Sequence, residues 1–455
     1  MSISQILFIL LSAVVFFVAY RQFSRVYRNI RLGKDEDISG DSGWRLKNVL
    51  LVAFGQKKMF KRFIPAILHL FIYVAFLMTQ IELIEIFIDG FGGVHRFFAD
   101  KLGVLYTVIV GFIEILSLLA FVSTVIFLWR RNILKVPRFI KPEMNGWPKL
   151  DGNLILYGEI LLLIGIFSMN GADVLLQKID AVHFPDTGTL PVSSWLGPAL
   201  FGGLSEGALH VVERFGWWLH ILVVFGFIIY LPYSKHLHIF LAFPNVYFSK
   251  NQSRGEMNNM PEIMNEVKSM MGLIEESDAG DMSEDIPELG SRDVMDLSWK
   301  NILESYTCTE CGRCTSVCPA NLTGKKLSPR KIMMDIRDRA EEVGKKIESG
   351  NTEYINAEKG GEVLTKANFD DGLSLFDKIT QEELFACTSC NACVEACPVM
   401  INPLEPILEM RRYEILTNSA GPSDWLPMFN SMESGGAVWQ LPDARDAWTA
   451  DITES

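Results

Sequence analysis

Eight cysteines fall in two runs, "CTECGRCTSVCP" at 308–319 and "CTSCNACVEACP" at 387–398, both spaced C-x2-C-x2-C-x3-C-P. Zinc knuckles supply two ligands per turn, not four per run, and a reducing compartment disfavours disulfides. This spacing is that of two [4Fe–4S] cubanes, with the fourth cysteine of each run serving the other cluster. Three thiolates on one tight loop cap three irons, and the fourth iron faces a different stretch of chain. One cluster is therefore expected on Cys308, Cys311, Cys314 and Cys397, the other on Cys387, Cys390, Cys393 and Cys318. No cysteine is left over.

The other chemistry-bearing set is histidine. All seven, His69, His95, His183, His210, His220, His236 and His238, precede residue 250, and all the cysteines follow it. Most lie in or beside apolar runs at about 4–20, 63–88, 103–129, 153–170 and 209–231, each near the ~20 residues a membrane helix needs. The first run lacks a basic n-region and a cleavage site and reads as a retained span. Arginines and lysines gather after the first span, before the second, after the third and after the fifth (Lys235). Positive-inside logic then puts the N-terminus outside and the cysteine half in the cytoplasm. On that frame His69 lies roughly 10 Å into the membrane from Arg62. His238 sits at the cytoplasmic edge beside Lys235, so His69 and His238 share a depth and suit the two axial positions of a b-type haem. His220 precedes His238 by five helical turns and would share its face on an unbroken helix through Pro232, while His236 would face the other way.

The chain has 455 residues, 49% of them apolar, and a net charge of −12, which excludes a basic nucleic-acid face. Three regions follow: a membrane domain at 1–250, an acidic linker at 251–295 with "EESDAGDMSEDIPE" at 275–288 and a short helix expected at 261–274, and a cytoplasmic domain at 296–455. The segment between the cysteine runs is helix-patterned, with a Ser-Pro start signal opening 327–347. Glu82, Glu85, Glu114 and Glu159 fall within spans, where ionisable groups are costly and default to function. Glu114, Glu82 and Glu85 are the quinone and proton candidates.

The cysteine half, with "DLSWKNILESYTCTECGRC" (296–314), "INPLEPILEMRRYEI" (401–415) and "MFNSMESGGAVWQLPDARDAW" (428–448), resembles the iron–sulfur part of heterodisulfide reductase-type proteins and the α-helical ferredoxin of succinate dehydrogenase iron–sulfur subunits. It lacks the paired cysteines of that family's catalytic domain. The membrane half, with "WWLH … PYSKHLH" (217–238), resembles the cytochrome b subunit of respiratory nitrate reductase. That resemblance implies ligands at His69, His220 and His238, with Thr79 at the fourth position. His220 would then need another partner, His95 with Arg96 as a haem-propionate contact or else His210; failing these, the protein holds one haem.

The expected fold is all-α, a five-helix transmembrane cytochrome b bundle followed by a cytoplasmic α-helical dicluster domain. The expected function is that of a membrane-anchored electron-transfer subunit, not catalytic alone on a soluble substrate. It would link the menaquinone pool in the lipid of a bacterial or archaeal cytoplasmic membrane to a cysteine-rich heterodisulfide-reductase-like subunit or an electron-transferring flavoprotein. The alternative is a membrane-anchored redox sensor or scaffold with structural clusters.

Overall fold

The computed structural model describes residues 2–38, 40–253, 255–273, 289–439 and 449. The acidic stretch 275–288 and most of the expected tail beyond 439 lie outside the described residues. The described chain is helical, with two isolated β-bridges, Lys34 to Ser298 and Ile355 to Phe369, and no strand.

Five helical segments are long and apolar enough to cross a membrane. They are α1 (Ile3–Ile30), α2 (Phe63–Gly92), α3 (Val104–Asn132), α4 (Trp147–Ile179) and the segment Glu206–Tyr233. A short helix, α5 (Ser193–Phe201), precedes that last segment, whose α-helical part is α6 (Glu206–Tyr230). Ser2 opens α1 with a capping box, its hydroxyl accepting from Gln5 N while the Gln5 side chain reaches back. Helices α4 and α6 pack closest because glycines face each other. A Cβ on Gly165 would lie 2.9 Å from His220 N, and one on Gly216 would lie 2.5 Å from Met169 N. Small residues let membrane helices bring their backbones together, where dispersion replaces the missing hydrophobic drive.

Buried carboxylates fasten this bundle. Glu114, midway along α3 and fully buried, accepts from Val192 N at 2.9 Å, Ser193 N at 3.1 Å and Asn170 Nδ2 at 3.3 Å. It plugs the N-terminus of α5, where unpaired N–H groups and the helix dipole favour an anion. These contacts give it a structural role in joining α3 to α5. Replacing Glu114 with glutamine should lower stability by about 2 kcal/mol, since hydrogen bonds to a charged acceptor are worth ~1.5–3 kcal/mol. Thermal unfolding in detergent measures this, and an unchanged melting temperature would remove the cap from the account. Glu159 accepts from Thr124 Oγ1 at 3.0 Å.

After Phe248 the chain crosses the 251–295 region, which contains the helix Pro261–Met270. The cysteine domain then follows, with α7 (His238–Tyr247) leading in and α8 (Trp299–Thr307), α9 (Pro329–Ser349), α10 (Ala392–Ala396) and α11 (Leu404–Arg412) as its main helices. Ser328 caps α9 by accepting from Lys331 N, and Gly350 ends it in the left-handed region. The core of this domain is not confined to residues after 296. Val26, Ile30 and Leu32 from the end of α1, and Leu237, pack into one buried cluster with Val294, Ile302, Tyr306, Ile332 and Ile407. The first span thus runs on past the apolar stretch and becomes part of the cysteine domain. Inside that domain Arg339 bridges Asp293 and Asp371.

Candidate functional site

The two cysteine loops repeat one backbone solution. Glu310 and Gly312 in the first run, and Ser389 and Asn391 in the second, have positive φ of 53°, 69°, 55° and 59°. Only Gly and, at lower frequency, Asn adopt this region without strain, and alternating it with ordinary residues curls a loop into a concave nest of N–H groups. Each loop then leads, after its last cysteine, into the rest of the domain.

Sequentially distant cysteines meet. Cys318 of the first run lines one cavity with Cys387, Cys390 and Cys393 of the second. Cys397 of the second lies within electrostatic reach of Cys308, Cys311 and Cys314. As free thiols they are reluctant acids. Burial, then the neighbouring thiolates, pushes Cys308 and Cys393 up to about 12 and Cys397 up to about 11. Metal loading must release those protons, so assembly of a centre here is coupled to pH.

The histidines converge too. The rings of His69 on α2 and His238 at the start of α7 have centroids 6.5 Å apart, tilted by 43°. Two imidazoles on opposite faces of one metal, with bonds of about 2 Å and a ring radius of about 1 Å, place their centroids about 6 Å apart. His69 Nδ1 donates to Gln56 Oε1 and His238 Nδ1 to the Lys235 carbonyl, both at 3.0 Å. That leaves each Nε2 free, the arrangement by which outer partners fix a metal-binding tautomer. The pair fits the axial requirements of a b-type haem.

The route to this pair differs from the one expected. Helix α6 does not continue through Pro232. It stops at Tyr230, and two short turns, Leu231–Tyr233 and Lys235–Leu237, separated by extended Ser234, carry the chain to His238. Pro232 cannot donate its backbone nitrogen. Asp151 at the start of α4 accepts instead from Tyr230 Oη at 2.5 Å, Ser234 Oγ at 2.6 Å and Lys235 N at 3.1 Å. Five turns of straight helix therefore do not relate His220 to His238. His236 does not face away either; its ring lies 5.9 Å from that of His238 and 5.6 Å from Phe227.

His220 is buried, with Nδ1 unpartnered among the described residues and a hydrogen bond to the backbone of Leu162. His95 lies elsewhere. Its Nε2 meets Asp173 Oδ1 at 2.9 Å and its Nδ1 faces Arg214 at 3.4 Å. Asp173 is eleven residues beyond Leu162 on α4, about 16 Å along the axis. His95 is thus engaged with Asp173, at a different depth from the Leu162 contact of His220. Arg96 is likewise spent, donating to Asn170 Oδ1 at 2.5 Å and Tyr106 Oη at 3.3 Å and pairing with Asp173 at 3.2 Å. His210 packs on Phe184 and its ligand atoms lie near those of Asp180 and Glu206. His183 is exposed and pairs with Asp180. Glu85 accepts from Phe98 N at 2.8 Å and Tyr106 Oη at 2.7 Å. Glu82 differs: no close donor meets its buried oxygens, Arg96 stands 3.7 Å away with Asn170 also within reach, and it borders a cavity between α2 and α3.

The membrane and cysteine parts are clamped where these sites approach. Buried Lys235 reaches both Asp151 and Glu310 of the first cysteine loop. Burial alone would raise the Glu310 carboxyl, but Lys235 and Arg337 hold it below the usual range. Arg330 binds Glu143 at 2.7 Å and the Arg138 carbonyl at 2.6 Å. Sequence reasoning missed Gln56, Asp151 and Glu310. Gln56 has no pattern to mark it, whereas the acidic residue inside a cysteine run was visible without its partner.

Residues 307–401 match the 4Fe-4S dicluster domain family. Over 98% of its length the chain is 28% identical to the probable iron-sulfur-binding oxidoreductase FadF of Bacillus subtilis, covering 62% of that protein. Over 87% of its length it is 25% identical to the EtfAB:quinone oxidoreductase of Syntrophomonas wolfei, covering 52% of it. A 36% share is 30% identical to a probable membrane-anchored ferredoxin of Chromohalobacter salexigens, covering 24% of it. The chain thus spans between about half and 62% of the first two relatives. No solved structure matches. Iron–sulfur relatives, the dicluster domain and five membrane-length helices together support a membrane electron-transfer role.

Proposed function

We propose that this chain links a membrane quinone pool to a cytoplasmic redox partner through one b-type haem and two [4Fe–4S] clusters. His69 and His238 hold the haem, whose iron supplies a one-electron carrier within the low-dielectric membrane. Cys308, Cys311, Cys314 and Cys397 hold one cluster; Cys387, Cys390, Cys393 and Cys318 hold the other. The observation that carries this reading is the pair of imidazoles 6.5 Å apart with both Nδ1 atoms already anchored. Lys235, whose carbonyl anchors His238 and whose amine reaches Glu310 of the first cysteine loop, supports an arrangement of the two sites in series.

A single haem is favoured because no histidine faces His220. Glu82 is the residue best suited to exchange a proton with a quinone, because no close hydrogen bond holds its buried oxygens and it borders a cavity between α2 and α3. The basic loops favour an N-terminus outside and the cysteine domain in the cytoplasm. The soluble partner is an electron-transferring flavoprotein or a heterodisulfide-reductase-like iron–sulfur subunit. The name of the Syntrophomonas relative supports the flavoprotein and the quinone.

Purified in detergent from its native membrane, the protein should show b-type haem bands that a menaquinol analogue reduces within the mixing experiment. Absence of the bands, or bands that only dithionite reduces, would sink the reading.

A further inference from the structure

Buried cations in this protein are generally met by carboxylates. Arg330 pairs with Glu143 at 2.7 Å, Arg337 with Glu310 at 2.9 Å, Arg339 with Asp371 at 2.7 Å and Lys300 with Glu304 at 2.7 Å. Three arginines where the cysteine domain meets the membrane bundle, buried Arg313 and half-buried Arg62 and Arg138, have no such carboxylate. Among the described residues Arg62, Arg138 and Arg313 form no ion pair, yet Arg62 and Arg313, together with Arg130 at the end of α3, lie within electrostatic reach of Arg138.

Their positions are built, not incidental. Arg313 is buried and donates to the Lys58 and Met59 carbonyls at 3.4 and 3.2 Å. Arg62 donates to Ser316 Oγ at 2.5 Å, tying the start of α2 to the first cysteine run. Arg138 lies 4.9 Å over the Phe139 ring, and its Nε is buried with no hydrogen-bond partner. Like charges converging in a low-dielectric seam repel and are poorly solvated, so such a set needs an anion. What they face is informative. Arg138 is within reach of Cys311, and Arg313 is within reach of Cys311 and Cys397 on one side and of His69 on the other.

We propose that Arg62, Arg138 and Arg313 form an anion seat between the two redox sites, balanced by the Cys308/Cys311/Cys314/Cys397 cluster on one side and by the carboxylates of the haem on the other. The proposal rests on the cluster and haem assignment above. A cubane with four thiolates is an anion, and net charge and hydrogen bonding around a cluster set its potential. Fixed cations beside it favour the reduced state, in which one more electron is held and no bond is made or broken. The three arginines are therefore positioning residues: they raise the potential of the nearer cluster and of the haem together, and they leave the Cys387/Cys390/Cys393/Cys318 cluster unaffected.

The test is potentiometric, on the full chain in detergent, with clusters read by electron paramagnetic resonance and haem by its optical bands. In Arg138→Gln, one of the two cluster midpoints should fall by about tenfold in the reduction equilibrium constant, about 59 mV for a one-electron couple. The haem midpoint should fall in the same direction, the other cluster should stay put, and Arg138→Lys should restore most of the shift. Unchanged midpoints, or two clusters moving together as in general loosening, would overturn the seat. Should Arg138→Gln lose iron, Arg62→Gln is titrated by the same criteria. If the wild-type protein holds no haem, the haem assignment fails while the selective cluster shift still decides the seat. If haem is present and neither cluster moves, the seat alone fails.

Discussion

If His69 and His238 hold a haem as proposed, substituting alanine for His238 should abolish the b-type haem bands of the purified protein and leave the iron–sulfur content unchanged. His69→Ala should give the same result, because the two imidazoles, 6.5 Å apart and on different helices, would hold the group jointly and either one alone would leave it half-held. The controls come from the structure. His236 lies 5.9 Å from His238 but sits in a turn against Phe227, and His220 faces Leu162, so alanine at either should leave haem at or near one per chain. Gln56→Ala should act more weakly than His69→Ala. It removes only the acceptor that orients the ring, and partners of that kind typically matter 10–100-fold in metal affinity. Pyridine haemochrome content set against iron content reads all of these. Full haem in His238→Ala would reject the pair, and haem loss in His220→Ala alone would move the site up α6.

Serine in place of Cys397 should remove the cluster built on the other run. Cys397 is near Cys308, Cys311 and Cys314 in space and remote from them in sequence, so its loss should cut iron from about eight to about four per chain. Pairing of defects separates crossed from uncrossed ligation. In the crossed arrangement the double variant Cys387→Ser with Cys397→Ser damages both centres, whereas Cys387→Ser with Cys318→Ser damages one. If each run served its own cluster, the outcomes would be exchanged. Iron analysis and the spectrum of the surviving centre give the answer. The cavity shared by Cys318, Cys387, Cys390 and Cys393 leads us to expect the crossed result.

The Glu114 cap shows why some site assignments cannot be read from one dimension. A carboxylate in the middle of an apolar span signals function by its cost alone. That cost is met by Val192 N and Ser193 N, donors some eighty residues away that no local pattern announces. The same applies to His95 and Arg96. They stand as a candidate partner for His220 and a propionate contact, and the hydrogen bonds they make to Asp173 and Asn170, on α4, are invisible in the local sequence. Phase arguments failed at Pro232 for a related reason: whether a proline kinks or ends a helix depends on what else satisfies the freed backbone, here Asp151.

The sequence alone determined the parts whose chemistry is local. Cysteine spacing sets which thiolates share a tight loop, and apolar length sets what can cross a membrane, because both depend on residues within one or two turns of each other. It also sufficed for His69 and His238 to be placed at one depth, since helical rise is fixed by backbone geometry. Tertiary structure decided everything that required facing partners. It brought Cys318 to the second loop and Cys397 to the first, turned His236 toward His238, set Gln56 behind His69, and left Arg62, Arg138 and Arg313 without a carboxylate partner among the described residues. Electrostatic complementarity acts through space, so which charge answers which is fixed only once the helices have packed.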